Sequence, residues 1–360
     1  MSIKKVSIIG LGLLGGSIAK ALKNSNEDFE ISAFDKSETL KSAIKEKVID
    51  IELGKIDDAL DADVIFISLP VDYSIEIFEQ LADKLKPDQI LTDVCSVKNP
   101  LNDIWNKKPR KGFYIGGHPM TGKEKGGYEN SDPLLFENCV YILTDNAKGL
   151  PVIESFTNLI HLLGAKITYL NPKVHDIIVA SVSHLPQIVS VSLINSASLK
   201  DSDLNFFDYA AGGFRDMTRI AASDFRIWEP IIRNNGTNII QAIDNFILDL
   251  EKMKKSIAKE EYEKIADKFE IARIKRDEIP KSSKGFINQI FDLFVFVKDE
   301  PGVLSKITTA LFEADINIKD LELLKIRVGT GGTFRLAFET KTDVVKARQI
   351  IEQLGFSIHG

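Results

Sequence analysis

A glycine-rich turn, Gly10-Leu11-Gly12-Leu13-Leu14-Gly15, directly follows the apolar run at residues 6–9 and opens into a helical pattern that runs on after Ser17. A GxGxxG match is weak by itself. Placed between a buried strand and a helix at the start of a βαβ unit, it specifies a dinucleotide-binding turn. In this reading Gly10 permits the tight turn, Gly12 lets the backbone approach a pyrophosphate, and Gly15 lets helix and strand pack closely. The helix N-terminus then faces the anion. Asp35 ends the next apolar strand, 25 residues beyond Gly10. An acid there accepts hydrogen bonds from ribose hydroxyls and repels a 2′-phosphate, so the expected cofactor is NAD.

The same alternation continues through the first half of the chain. Apolar runs at residues 29–35, 64–70, 90–94, 113–117, 140–144 and 165–170 are separated by amphipathic stretches, which predicts a parallel sheet covered on both faces. From residue 173 to about residue 277 the periodicity becomes three and four residues, with no convincing strand, and this block is predicted all-α. Some of its faces are apolar enough to pack between subunits. Residues 279–286, IPKSSKGF, read as an exposed linker. Beyond them the pattern is βαββαβ. The 360 residues thus divide into three expected domains at residues 1–171, 172–280 and 287–360.

Composition excludes several classes. With 44% hydrophobic and 27% charged residues, the chain is ordinary globular protein. A net charge of -6 offers no basic field to nucleic acid or an anionic membrane. The glycines interrupt what would otherwise resemble a signal peptide, and no unbroken apolar run approaches the roughly 18 residues of a membrane helix. Cys95 and Cys139 lack metal-binding spacing, so no metal site is expected and a cytoplasmic, reducing setting fits.

Candidate chemistry lies past the strand ends, where ligands bind in open α/β sheets. His118, in the loop GGHPMTGKEKGG, can exchange a proton near neutral pH. Glu124 in that loop reads as an entrance charge. Ser96, in DVCSVK, can hydrogen-bond a substrate or nicotinamide, whereas Cys95 beside it reads as a small buried residue. In the helical block, Arg219 sits in an otherwise apolar turn of GGFRDMTRIAASD and does not look like a surface residue. Arginine is suited to gripping a carboxylate. Asp216 lies nearby, and SVSHLPQ brings His184 and Gln187 to one helix face.

In order and combination these motifs resemble the prephenate dehydrogenase family, which includes arogenate dehydrogenases. They are GLGLLGGS, SLP (Ser68, Leu69, Pro70), DVCSVK, GGHPMTGKEKGG, His175-Asp176, SHLP and GGFRDMTRIAASD with Trp228 beyond. The C-terminal unit, with DEPGVLSKI and DINI, resembles an ACT domain. The resemblance implies an N-terminal Rossmann-like sheet, a helical dimerisation domain and an effector-binding ACT domain. It also implies loss of hydride from a cyclohexadienol to NAD, with departure of CO₂ and aromatisation to 4-hydroxyphenylpyruvate. His118 would take the hydroxyl proton and Ser96 would assist it. Arg219 would clamp a carboxylate, and His184 and Gln187 would lie by the substrate. Glu124 and Asp216 would line the entrance, with Trp228 lent by the other subunit of a homodimer. Tyrosine would act as effector near Asp299, Gly302 and Asn317, across an ACT–ACT interface. Many family members carry histidine where this chain has Gln187, which leaves prephenate and arogenate both open, with prephenate favoured. A 2-hydroxyacid dehydrogenase with an ACT domain fits less well, because there the nucleotide domain is inserted within the chain. A non-catalytic NAD and amino-acid sensor is opposed by the presence of His118, Ser96 and Arg219.

Overall fold

The computed structural model describes residues 2–123, 125–197, 200–201, 204–278, 291–327 and 331–359. The expected linker at 279–286 and Glu124 lie outside the described residues. The chain forms two compact units, residues 1–269 and 270–360.

The first unit begins with β1 (Lys5–Ile9), α1 (Leu13–Lys23), β2 (Glu30–Phe34), α2 (Ser37–Lys45) and β3 (Ile51–Glu52). It continues with β4 (Val64–Ile67), α3 (Val71–Ala82), β5 (Ile90–Asp93), α4 (Asn99–Asn106), β6 (Phe113–Pro119), β7 (Val140–Thr144), α5 (Ile153–Leu162) and β8 (Lys166–Leu170). The strands make one sheet in the order β3-β2-β1-β4-β5-β6-β7-β8. Strand order reverses direction at β1 and β4, which opens a crevice beyond their C-terminal ends. All four residues of β4 are buried, and its alternate side chains enter two separate apolar clusters, Val64 and Phe66 in one, Ile65 and Ile67 in the other. A strand covered on both faces needs such an unbroken apolar run.

One pairing departs from the expected parallel sheet: β6 and β7 run antiparallel. Parallel neighbours need a crossover, usually a helix. Among its described residues the connection here holds a single 3₁₀ turn, Tyr128–Asn130, and no α-helix. It lies against α1 instead, where the Asp132 N–H donates to Ser17 Oγ at 2.9 Å.

The helical block follows as α6 (Pro172–Val179), one π-helical turn (Ala180–His184) and α7 (Leu185–Ala197). Asn171 caps α6 by accepting the Lys173 N–H, and Pro172 occupies the first turn, where no N–H is needed. Two short strands, β9 (Lys200–Asp201) and β10 (Leu204–Asn205), pair antiparallel and interrupt the expected all-helical stretch. Then come α8 (Gly212–Thr218), α9 (Phe225–Ala258) and α10 (Tyr262–Glu278). Helix α9 contains Pro230 and breaks helical geometry at Asn235. The stretch Pro172–Ala197 is long and apolar enough to cross a membrane by length and composition. The sequence expectation missed it because its apolar residues are interspersed with serines and histidines. Three of its buried polar residues, His175, Asp176 and Gln187, are hydrogen-bonded within the unit.

The boundary expected at residues 171/172 falls inside this unit, because the helical block packs directly on the sheet domain. The Asp72 carboxylate of α3 accepts from Arg233 at 3.0 Å and Asn234 at 2.8 Å. The second unit contains β11 (Phe291–Val297), α11 (Val303–Glu313), β12 (Asp320–Arg327), β13 (Gly331–Phe338), α12 (Lys341–Gln353) and β14 (Ser357–His359). This is the expected βαββαβ order, folded as an antiparallel sheet β12-β13-β11-β14 over a core that includes Leu293, Val295, Ile307 and Ile351.

Candidate active site

The glycine turn is fixed by contacts that only glycine allows. Gly10 has φ +97°, and a Cβ there would stand 2.4 Å from the Ser68 carbonyl oxygen. A Cβ on Gly15 would stand 1.9 Å from the Gly10 carbonyl oxygen. Gly12 differs, because a Cβ there meets nothing within 4 Å. It is the N-cap of α1, which has no side-chain cap and no acid in its first turn. The first N–H groups of α1 are therefore left for an anion. This open cradle fits a dinucleotide pyrophosphate. Asp35 turns back onto the turn, accepting the Leu11 N–H at 2.6 Å and the Lys36 N–H at 2.6 Å.

Gly12, Leu13 and Leu14 open onto a cavity of about 350 Å³. Its walls also include Ser68, Leu69 and Pro70 after β4, Ser96 after β5, His118 on β6, and Ile227 and Ile231 of α9. Of the expected cofactor residues, Gly12, Leu13, Leu14, Ser68, Leu69 and Pro70 thus share one cavity with both expected catalytic residues, whereas Gly10, Leu11, Gly15 and Asp35 do not line it. Cys95 also lines it, but burial pushes its thiol up to about 12, which makes it an unreactive wall.

His118 is held from behind. Its Nδ1 lies 2.8 Å from His175 Nε2, and His175 Nδ1 lies 2.7 Å from Asp176 Oδ1. The Asp176 carboxylate also accepts the backbone N–H groups of Lys98 at 2.8 Å and Asn99 at 3.0 Å. Lys98 itself is fully buried and pairs with the buried Asp93. Its ammonium donates to the Gly117 carbonyl at 2.5 Å, and the Tyr114 hydroxyl donates to Asp93 Oδ2 at 2.8 Å. A Cβ on Gly117 would stand 2.7 Å from the Asp93 carbonyl oxygen, so the glycine permits this approach. Desolvation holds the His118 imidazole well below its usual pKa, reinforced by His175 and Lys98. His118 is thus neutral near pH 7 and able to accept a proton.

A second cavity, about 370 Å³, adjoins the first through the adjacent pairs Thr121/Gly122 and Ile227/Trp228. Arg219, Lys123, Gln187 and Trp228 line it. Arg219 is exposed in the single chain, contrary to its sequence reading, because it begins a short 3₁₀ turn after α8 at the cavity mouth. Trp228 lies in its own chain's cavity. Gln187 donates through Nε2 to the Ile220 carbonyl at 2.9 Å. His184 is buried behind these residues, its ring 5.9 Å from that of Trp228 and perpendicular to it. Burial lowers His184 to about 4. Its Nε2 has no hydrogen-bond partner among the described residues. Asp216 is exposed and lines neither cavity. A further cavity of about 500 Å³, at Ser2, Phe29 and His161, contains none of the expected residues. Among the described residues no cluster could hold a metal ion.

Sequence reasoning assigned no role to Lys98, His175 and Asp176 and did not single out Lys123. Lys98 and Lys123 look like surface lysines in the sequence, and the His175–Asp176 pair carries meaning only once α6 is laid against β6.

Residues 18–169 match the family model of the prephenate dehydrogenase nucleotide-binding domain, and residues 171–271 that of its dimerization domain. Residues 291–356 match the ACT domain. The prephenate dehydrogenase of Bacillus subtilis is 33% identical over 96% of this chain and 95% of its own length. The chain belongs to the prephenate dehydrogenase family. That of Lactococcus lactis is 33% identical over 98% of both chains. Among solved structures of this family, prephenate dehydrogenase from A. aeolicus, in complex with hydroxyphenyl propionate and NAD⁺, superposes with a TM-score of 0.70. It is 32% identical, covering 78% of this chain and 99% of that one. Synechocystis arogenate dehydrogenase superposes with a TM-score of 0.66 at 26% identity, covering 77% of this chain and all of its own.

In the second unit, Asp299 and Gly302 line a cavity of about 290 Å³ with Leu323 and Phe334. Asn317 lines a different one, of about 430 Å³, with Phe312. The three expected effector residues therefore do not meet within one chain.

Proposed function

We propose that this chain catalyses the NAD⁺-dependent oxidative decarboxylation of prephenate to 4-hydroxyphenylpyruvate. The observation that carries this reading is the placement of His118, a neutral base, in the cavity opened by the glycine turn and next to the cavity lined by Arg219. Gly12 and the uncapped start of α1 would hold the pyrophosphate, and Asp35 the adenosine ribose. NAD⁺ supplies the hydride acceptor. Prephenate, a dianion, loses hydride from its carbinol carbon and CO₂ from its ring carboxylate. His118 takes the hydroxyl proton as the carbonyl forms and returns it to that oxygen as the ring aromatises, so no net proton is released. Ser96 bonds the same hydroxyl. Arg219 and Lys123 supply positive charge for the two carboxylates, which the net charge of -6 cannot. Aromatisation supplies much of the driving force, so orientation is the main task of the protein.

Gln187 favours a second substrate. Its Nε2 is engaged by Ile220 and its Oε1 takes no partner among the described residues. A free acceptor suits the ammonium of arogenate. Dimerisation through the helical block is supported by the family match and by exposed apolar residues on one chain, including Val182 and Ile240. We place the protein in the cytoplasm, where its two free cysteines fit. Tyrosine is our proposed inhibitor, bound between two ACT units so that Asp299 and Gly302 of one meet Asn317 of the other. Absence of both binding and inhibition at millimolar tyrosine would rule this out.

The test of the chemistry is His118→Asn. Turnover should fall by about 10²–10⁴-fold with prephenate binding largely retained. Unchanged turnover would remove His118 from the mechanism.

A further inference from the structure

We propose that His175 and Asp176 are positioning residues that fix the proton of His118 on Nδ1, leaving its Nε2 as the bare nitrogen that receives the substrate hydroxyl proton. This rests on the reading of His118 as the base.

Donors and acceptors must alternate along Asp176, His175 and His118. An ionised carboxylate only accepts hydrogen bonds. Asp176 Oδ1 faces His175 Nδ1 at 2.7 Å, so that nitrogen carries the proton. Desolvation holds His175 below its usual pKa even against the opposing pull of Asp176, so the ring is neutral and its Nε2 is a lone pair. That lone pair lies 2.8 Å from His118 Nδ1, which must then donate. A neutral His118 with its proton on Nδ1 has no proton on Nε2. Nδ1 being occupied, Nε2 is the ring nitrogen left for the cavity that His118 lines.

The surroundings keep this order from reversing. Asp176 cannot swing away, because the Lys98 and Asn99 N–H groups hold both its oxygens. Its own carbonyl accepts from Asn235 Nδ2 at 2.8 Å, at the non-helical point of α9. The other charged and titratable groups facing the chain are Lys98, paired with Asp93, and His184. Lys98 opposes a positive charge on either ring, so both stay neutral until substrate supplies the proton. When His118 becomes cationic, its Nδ1–H bond to His175 becomes charge-assisted and stronger.

Two variants and one spectrum test this. His175→Phe keeps a ring but offers no acceptor to His118. Its kcat should fall about a hundredfold, with KM for prephenate within about threefold of wild type, the pattern of a lost transition-state interaction. His175→Gln places an amide oxygen where Nε2 stood and should keep kcat within about tenfold of wild type. A phenylalanine variant with wild-type kcat, or a glutamine variant as impaired as the phenylalanine one, would overturn the proposal. Long-range ¹⁵N–¹H correlation on the full-length histidine-labelled protein reads the tautomer directly, even if a variant fails to fold. A proton on His118 Nδ1 is expected, and one on Nε2 contradicts the assignment. Wild-type protein inactive on both prephenate and arogenate would refute the functional reading, and the spectrum would still decide the tautomer.

Discussion

The ammonium of Lys98 lies 2.5 Å from the carbonyl oxygen of Gly117, the residue before His118. A fully buried lysine thus ties the end of β6 to Asp93 at the end of β5. Removing one partner of a buried pair strands the other charge. Lys98→Met should therefore cost about 3–5 kcal/mol of stability in denaturant unfolding. A change below 1 kcal/mol would mean that the pair is not buried as described.

The second and third glycines of the turn should separate folding from cofactor binding. Gly12→Ala meets open space, so thermal stability should stay near wild type while NAD⁺ affinity drops at least about tenfold, measured by fluorescence titration. Gly15→Ala drives a methyl group into the Gly10 carbonyl and should destabilise the fold itself.

The buried His175 and His184 and the half-buried His118 set the acid response. Their folded pKa values lie below the unfolded 6.5, so the unfolded chain binds more protons and stability falls as pH drops. For His184 the loss begins near 6.5 and is complete once pH passes below about 4. The melting temperature should be flat above pH 7 and decline through that window. His184→Gln should decline less steeply than wild type.

Arg219 and Lys123 should differ in effect. Lys123 is already shared with Asp132 at 3.1 Å, on the protein surface. Arg219→Ala should raise KM for prephenate about a hundredfold and Lys123→Gln by a few-fold, since a planar guanidinium can grip a carboxylate in two parallel bonds whereas an ammonium acts as a point charge. Equal effects would mean that both cations bind alike.

Much of this was legible in the chain. The glycine turn is a local signal, and its strand–turn–helix context lies within twenty residues. Val64–Ile67 announced a central strand by being wholly apolar. The β6–β7 pairing was not legible: the strand pattern predicts parallel neighbours, whereas the pair runs antiparallel, with one 3₁₀ turn among the described residues between them. What could not be read was tertiary. Asp176 reaches across 78 residues to cap Lys98, and His118 meets His175 across 57. Arg219 looked interior among apolar neighbours, yet its side chain is exposed at a cavity mouth. No periodicity reports such contacts, because they depend on where α6 and α9 dock on the sheet.

The most direct measurement is NADH absorbance on mixing the full-length protein with NAD⁺ and prephenate, alongside arogenate and NADP⁺. Rapid NADH formation is expected with prephenate and NAD⁺, with 4-hydroxyphenylpyruvate and CO₂ as products. No absorbance change with either substrate and either cofactor would contradict it and leave a non-catalytic binding protein in its place.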